Sequence, residues 1–156
     1  MALAIIATGF LGAFATAVHA GRMASAAEED ALVTSGLEQR IEELRLLEWP
    51  ELTNGTGITT KVWTARPQPM TGITVSEETL TLSPWDVAGA KTLQGTWTGA
   101  SARVITFTAG AQNLSSASAV RVVATLTWVG RRTQRAQTRS LVTVISRGGI
   151  SKSDLP

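Results

Sequence analysis

The sequence predicts an α+β fold in which one long N-terminal helix packs against a C-terminal antiparallel β-sheet. Residues 1–49 favour a single helix that is apolar in its first half and amphipathic in its second. Residues 50–147 instead contain several short runs in which apolar and polar residues alternate, separated by Gly, Pro and Asn. Because a sheet with one apolar face must be covered by another layer, this helix is the element expected to cover it.

The first half of the helix is an uncharged apolar segment. Met1–Ala20 contains no Asp, Glu, Lys or Arg. At roughly 1.5 Å per residue, such a helix spans about 30 Å, the thickness of a bilayer's hydrocarbon core. Small residues let helices approach one another closely in lipid. Residues 1–22 are therefore predicted to be a transmembrane half of the helix, and its candidate helix-packing positions are Ala4, Gly9, Gly12 and Phe14.

A cleaved signal peptide is the competing interpretation of this segment. Val18-His19-Ala20 has the small residues that a cleavage site requires. However, no Lys or Arg precedes Arg22, and the apolar run is longer than a usual signal core. We therefore favour an anchor that is retained in the mature protein.

The second half of the helix, residues 23–49, carries an apolar stripe. Leu37, Ile41 and Leu44 recur at spacings of four and three, and glutamates occupy the other faces. Pro50 is expected to stop the helix, leaving Trp49 in an extended conformation at its end. This half is predicted to lie on the sheet.

The remainder is predicted to form an antiparallel β head over residues 50–147, followed by a flexible tail over residues 148–156. Asn54-Gly55 predicts a turn, Arg66–Met70 breaks the pattern with two prolines, and Gly110–Ser118 is a further turn. The predicted strands are Ile58–Ala65, Ile73–Leu82 (as two short strands or a hairpin), a short strand around Leu93–Trp97, Arg103–Thr108, Val120–Val129 and Arg139–Ser146.

The last two strands are the clearest. Alternation in Val120–Val129 places Leu126 and Trp128 on one face, toward the helix. The predicted core between helix and sheet consists of Leu37, Ile41, Leu44, Trp49, Leu126 and Trp128. The connection Gly130–Thr138 is polar and typical of an exposed hairpin tip, and it contributes to a basic surface formed by Arg131, Arg132, Arg135 and Arg139.

Composition argues against an enzyme. The chain has no cysteine and one histidine, His19, which lies at the end of the apolar segment. No His/Asp/Glu cluster has metal-ligand spacing, and no phosphate-binding glycine motif is present. We expect no catalytic residues, no metal and no cofactor.

Charge is unevenly distributed along the chain. Between Glu28 and Glu51 there are eight acidic and two basic residues, a net charge of −6. From Arg103 onward there are eight basic residues and one acidic residue, a net charge of +7. Either the acidic helix and the basic half attract one another, within or between subunits, or both are solvated faces.

Two segments resemble a known family. MALAIIATGFLGAFATAV, followed by an acidic stretch and LEQRIEELRLLEWPEL, resembles the N-terminal helix of minor type IV pilins and type II secretion minor pseudopilins. VRVVATLTWVGRRTQRAQTRSLVTVIS is similar to the last hairpin of that group. The resemblance covers residues 1–49 and 119–147, and it is absent between them.

The resemblance implies a pilin-like fold and a structural subunit of a type IV pilus or type II secretion filament. Such a subunit waits in the bacterial inner membrane with a periplasmic head. It then enters the assembled filament, where residues 1–22 lie in the filament core. The implied partners are other pilin-like subunits, the inner membrane and an assembly platform, and these residues act by helix packing.

One feature of the family has no counterpart here. A leader ending in Gly, followed by Phe-Thr-Leu-Ile-Glu-Val or similar, precedes the family segment that matches Met1–Ala4. Either that stretch is encoded upstream of Met1, or assembly by the route of this family does not apply. The alternative function is a secreted or single-pass membrane-anchored β domain with a binding role. One such ligand is single-stranded nucleic acid, which basic residues beside aromatic residues can bind. The other explanation of the same arginines is that they protect an exposed sheet edge from aggregation.

Overall fold

The structure, a computed structural model, describes residues 2–65, 73–86, 92–98, 102–107, 113–131 and 134–148. Side chains are described from Phe10 onward, except those of residues 65, 102, 103 and 107. Its helices are α1 (Ala2–Arg45), α2 (Trp49–Thr53), a π-helical turn (Ile58–Val62), α3 (Trp63–Ala65) and a 3₁₀ turn (Leu114–Ser116). Its strands are β1 (Val75–Pro84), β2 (Leu93–Thr98), β3 (Ala102–Phe107), β4 (Ala119–Val129) and β5 (Ala136–Ser146).

The five strands form one antiparallel sheet in the order β3-β2-β1-β4-β5. A long helix packed on an antiparallel sheet is the α+β layout that the sequence predicts, and this prediction is confirmed. Ile73–Leu82 is neither two strands nor a hairpin, however, because β1 runs unbroken from Val75 to Pro84 at the centre of the sheet. The predicted Leu93–Trp97 strand corresponds to β2, and Arg103–Thr108 corresponds to β3.

The core lies between α1 and the inner face of the sheet. Leu37, Ile41 and Leu44 are buried, as is Val33 one turn before them. On the sheet side, every second residue of β4 is buried: Val120, Val122, Ala124, Leu126 and Trp128. Trp49 is only half-buried, at the rim of this core, where its indole N–H donates to the Ser115 carbonyl at 3.1 Å. Burying a large apolar side chain contributes about 1.5–3 kcal/mol, so this layer is the main source of stability.

The long helix ends earlier than the sequence predicts. α1 stops at Arg45, and Pro50 lies in the first turn of α2 instead of terminating α1. Proline is tolerated there because the first N–H groups of a helix have no intrahelical partner. The Glu51 carboxylate accepts from the Glu48 backbone N–H at 3.4 Å, closing the start of α2. Trp49 is therefore helical and not extended.

The predicted strand Ile58–Ala65 is wrong, because this stretch is helical. The Asn54 side chain accepts from the Thr56 N–H at 2.8 Å, which begins a helical turn. The Thr60 hydroxyl then donates to the Thr56 carbonyl at 2.7 Å, as threonine does within helices. Ile58, Val62 and Trp63 are buried together, a spacing that suits a helix and not a strand.

Trp63 fills the space beside a glycine in β2. A Cβ added to Gly95 would lie 2.7 Å from Trp63 Cη2 and 2.9 Å from Ile105 Cδ1. Only a residue without a side chain lets the indole approach the sheet this closely. The break over Arg66–Met70 and the tail beyond Gly148 lie outside the described residues.

Candidate functional site: an uncovered apolar helix

The candidate site is the N-terminal segment of α1, which has no protein cover within the chain. Every residue from 10 to 20 is exposed. Phe10 is 76% exposed and Phe14 is 71% exposed, and Leu11 and Met23 are similarly uncovered. Isolated exposed apolar residues are common on proteins, but a contiguous set of large ones marks an interaction surface.

The head holds α1 from Glu29 onward. The Glu29 Oε1 atom accepts from the Arg131 backbone N–H at 3.1 Å. Next to it, Arg139 Nη1 on β5 lies 2.5 Å and 2.7 Å from the two carboxylate oxygens of Asp30. The apolar stripe of α1 covers the sheet from Val33 to Leu44. The segment before Gly21 therefore extends away from the head.

Two of the four predicted helix-packing residues can be assessed. Gly12 lies in the exposed segment, and a Cβ added there would meet nothing within 4 Å. Phe14 projects from the same segment. The surroundings of Ala4 and Gly9 lie outside the described residues. A side chain added at Gly12 thus meets no atom of this chain, and most of the Phe14 side chain is open to a second helix.

Over the part of the chain that the structure describes, no helix is both long and apolar enough to span a membrane.

The predicted basic surface is partly engaged with α1. Arg139 pairs with Asp30, and the Arg131 backbone binds Glu29, so the acidic helix and the basic hairpin attract one another within the subunit. Arg131 also lines a hollow of about 190 Å³ with Ser25, Glu28 and Leu32. Arg135 is exposed, and Arg132 lies outside the described residues. The charge of Arg139 is therefore already neutralised locally.

A buried ionic cluster between α1 and β1 was not predicted. Arg40 donates from Nε to Glu78 Oε1 at 2.7 Å and from Nη2 to Glu78 Oε2 at 2.9 Å. Its Nη1 also donates to Glu43 Oε2 at 2.6 Å. Burial raises the pKa of the Glu78 carboxyl, and the Arg40 guanidinium opposes that rise.

A sequence signal for this cluster exists. Arg40 follows Leu37 by three residues and precedes Leu44 by four, so it lies on the apolar stripe. Glu78 alternates with Leu80 and Leu82, so it faces the core. Opposite charges on two facing apolar surfaces indicate a buried pair.

The Arg40 guanidinium engages both oxygens of Glu78, the two-point geometry of a strong Arg–carboxylate pair. Within the described residues, no group of three His, Cys, Asp or Glu side chains is placed to hold a metal ion.

A cleft of about 690 Å³ opens where α1 ends beside β5. Leu47, Trp49 and Leu52 form its apolar wall, and residues 144–148 form the opposite side. Glu42, Arg45, Glu48 and Arg147 give it a mixed charge.

Comparison with family models, with curated proteins and with solved structures finds no match to this chain.

Proposed function

We propose that this protein is a structural subunit of a type IV pilus or type II secretion filament, a minor pilin or pseudopilin. It acts through the packing of its N-terminal helix against the helices of other subunits. In this proposal the subunit first resides in the bacterial inner membrane with its head in the periplasm. It then joins the filament at an assembly platform, and it is not an enzyme.

The observation that carries the proposal is the uncovered apolar segment of α1. Residues 10–20 are all exposed, yet they include Phe10, Leu11 and Phe14. The apolar side chains of such a helix are stabilised when they are removed from water, either by a membrane or by a partner protein. Gly12 permits a close approach of a second backbone. The sequence resemblance of residues 1–49 to pilin-like helices supports the same function.

The test is a leucine substitution at Gly12, which adds bulk where helices should meet without lowering hydrophobicity. Subunits would be crosslinked in the host membrane and in sheared filaments through a cysteine introduced at Ala15, because the chain has no native cysteine. Ala15 lies about 60° around the helix from Gly12 and about 160° from Ala17. We expect Gly12→Leu to insert normally but to lose crosslinking and filament formation.

Ala17→Leu is the matched control for this test. It adds the same side chain to the exposed segment about 140° around the helix from Gly12. If Gly12→Leu assembles as well as the control, the filament proposal is wrong and α1 is a plain anchor for a β domain with a binding role.

A further inference from the structure

The outer edge of β5 lacks the usual protection against pairing from Ser140 to Ser146, the part of the strand that follows Arg139. β5 pairs with β4 on one side, and among the described residues no strand pairs with its other side. Its register on β4 is continuous from Ala136 to Ser146, with no bulge. Natural edge strands are normally short, charged, bulged or interrupted by proline. Residues 140–146 have none of these features.

The hydrogen-bond phase of β5 determines which backbone groups point outward. Arg147 N–H donates to the Ser118 carbonyl at 2.7 Å, and Gly130 N–H donates to the Arg135 carbonyl at 3.0 Å. Odd-numbered residues of this hairpin therefore bond to β4. In an antiparallel ladder the direction alternates, so the even-numbered residues point their N–H and C=O groups to the open edge. These are Ala136, Thr138, Ser140, Val142, Val144 and Ser146.

The sequence of this edge reads nearly the same in both directions. Residues 140–146 are Ser-Leu-Val-Thr-Val-Ile-Ser, symmetric in residue type about Thr143. Two antiparallel copies related by a two-fold axis at Thr143 would place Ser140 opposite Ser146 and Val142 opposite Val144. Both are pairs of even-numbered residues, so this register brings the outward backbone groups of each copy together.

We propose that β5 pairs with β5 of a second copy of this chain, in antiparallel register centred on Thr143, to give one continuous sheet. The pairing covers Val142 and Val144, which lie exposed on the outer face of the sheet. It also sets Leu141 of the second copy beside Ile145, at the mouth of the cleft walled by Leu47 and Trp49. Cross-strand pairs of β-branched residues stabilise such a ladder.

Charge does not oppose this pairing. Arg139 lies opposite Arg147 of the second copy in this register, but Arg139 is neutralised by Asp30. Arg45 lies near the axis, because its Nη2 donates to the Thr143 hydroxyl at 3.2 Å, and its Nη1 is paired with Glu42. Arg45 near the axis and Arg139 four residues from it thus each have a counter-charge, and each Arg147 faces an Arg139–Asp30 ion pair.

The inference is independent of the proposed filament function. α1 and β5 run in the same general direction, because Asp30 contacts Arg139 and Arg45 contacts Thr143. The two-fold axis therefore turns the second α1 to point the opposite way. Two subunits paired through β5 are not side by side as they would be in a filament, so the two interactions exclude one another within one pair of molecules.

Single cysteines in the full-length chain test the pairing, because the protein has no cysteine of its own. Thr143 would face its own copy in a non-hydrogen-bonded pair, with Cα atoms about 4.5 Å apart, a separation that a disulfide accepts. In detergent under mild oxidation, we expect Thr143→Cys to form a covalent dimer.

Ser140→Cys provides the register control. In this register its two copies lie about 20 Å apart, so it is expected to stay monomeric alone and to crosslink when mixed with Ser146→Cys. Equal self-crosslinking of Ser140→Cys and Thr143→Cys would overturn the proposed register. A Thr143→Cys protein that remains monomeric would overturn the pairing itself.

Matched lysine substitutions separate edge pairing from other association. Val142 is 49% exposed on the β5 edge, and Val104 is 51% exposed on β3, the opposite edge of the sheet. Adding Val142→Lys to Thr143→Cys should abolish the dimer, whereas Val104→Lys should leave it intact, with circular dichroism verifying that both remain folded. Gly12→Leu should also leave it intact. A dimer lost with Gly12→Leu but retained with Val142→Lys would mean that α1, and not β5, brings the copies together.

Discussion

Arg40 on α1 and Glu78 on β1 form a buried two-point ion pair between the helix and the sheet. The guanidinium Nε lies 2.7 Å from one carboxylate oxygen, and Nη2 lies 2.9 Å from the other. Arg40 is 1% exposed and Glu78 is fully buried. A planar guanidinium binds both oxygens of a carboxylate in one geometry only, so this pair fixes the position of α1 relative to β1.

Removing one member of this pair should be strongly destabilising. Arg40→Met leaves the Glu78 carboxyl buried without its partner, so that it must stay charged or take up a proton. Either cost should lower the free energy of unfolding at about pH 7, by about 3–5 kcal/mol. Chemical denaturation measures the loss. The matched control is Arg45→Met, because Arg45 and Glu42 form an exposed pair whose loss should cost at most about 1 kcal/mol.

The double variant Arg40→Met with Glu78→Leu should recover most of that stability. Apolar residues of similar volume often replace a buried ion pair without loss. A double variant that is less stable than Arg40→Met alone would contradict this account of the interface.

The raised pKa of Glu78 makes its contribution depend on pH. A carboxyl whose pKa is raised by folding favours the protonated form in the native state. Its contribution is complete below the unfolded-state pKa and is lost as pH rises through the folded-state pKa. The stability of the wild type relative to Glu78→Gln should therefore fall as pH rises above the usual glutamate range. Unfolding free energies measured from pH 4 to 8 test this, and a difference that grows with pH would contradict it.

Ile41 anchors the stripe of α1 on the sheet. It is buried with Leu37 and Leu44, so Ile41→Ala should lower the free energy of unfolding by about 2–5 kcal/mol through lost burial and a cavity. Leu46→Ala is the control, since Leu46 is largely exposed just after α1 ends. Equal and small effects of both substitutions would show that α1 does not pack on the sheet.

Gly95 sets the distance between β2 and Trp63. The Cβ of Gly95→Ala would lie 2.7 Å from Trp63 Cη2, so the indole or the strand must move. Such overpacking typically costs about 1–3 kcal/mol. Gly148→Ala, where an added Cβ meets nothing within 4 Å, should leave the free energy of unfolding unchanged. Thermal or urea unfolding of the two variants compares them, and an unchanged Gly95→Ala would mean that Trp63 lies elsewhere.

Periodicity alone was sufficient for the buried face of α1 and for β4. The stripe of Leu37, Ile41 and Leu44 and the alternation of β4 each have one hydrophobic period over many residues, so local sequence predicts both the element and its buried face. The candidate site was also readable from sequence, because an uncharged apolar run identifies the segment that the head leaves uncovered.

Short elements were not determined locally. Ile58–Ala65 is rich in β-branched residues, which favours a strand, yet it is helical because the Asn54 cap, the threonine hydroxyls and burial of Trp63 outweigh that preference. Similarly, Pro50 marked a helix boundary in the sequence, but only the tertiary contacts of Trp49 and Leu52 decided that it begins α2.

The sequence by itself determined the α+β class, the covered face of α1 and its uncovered segment, because these follow from which residues avoid water. The tertiary structure decided the strand order, the place of β5 at an open edge and the pairing of Arg40 with Glu78. These features depend on contacts between residues that are far apart in the sequence. Such contacts stabilise the protein only after the chain has folded and brought those residues together.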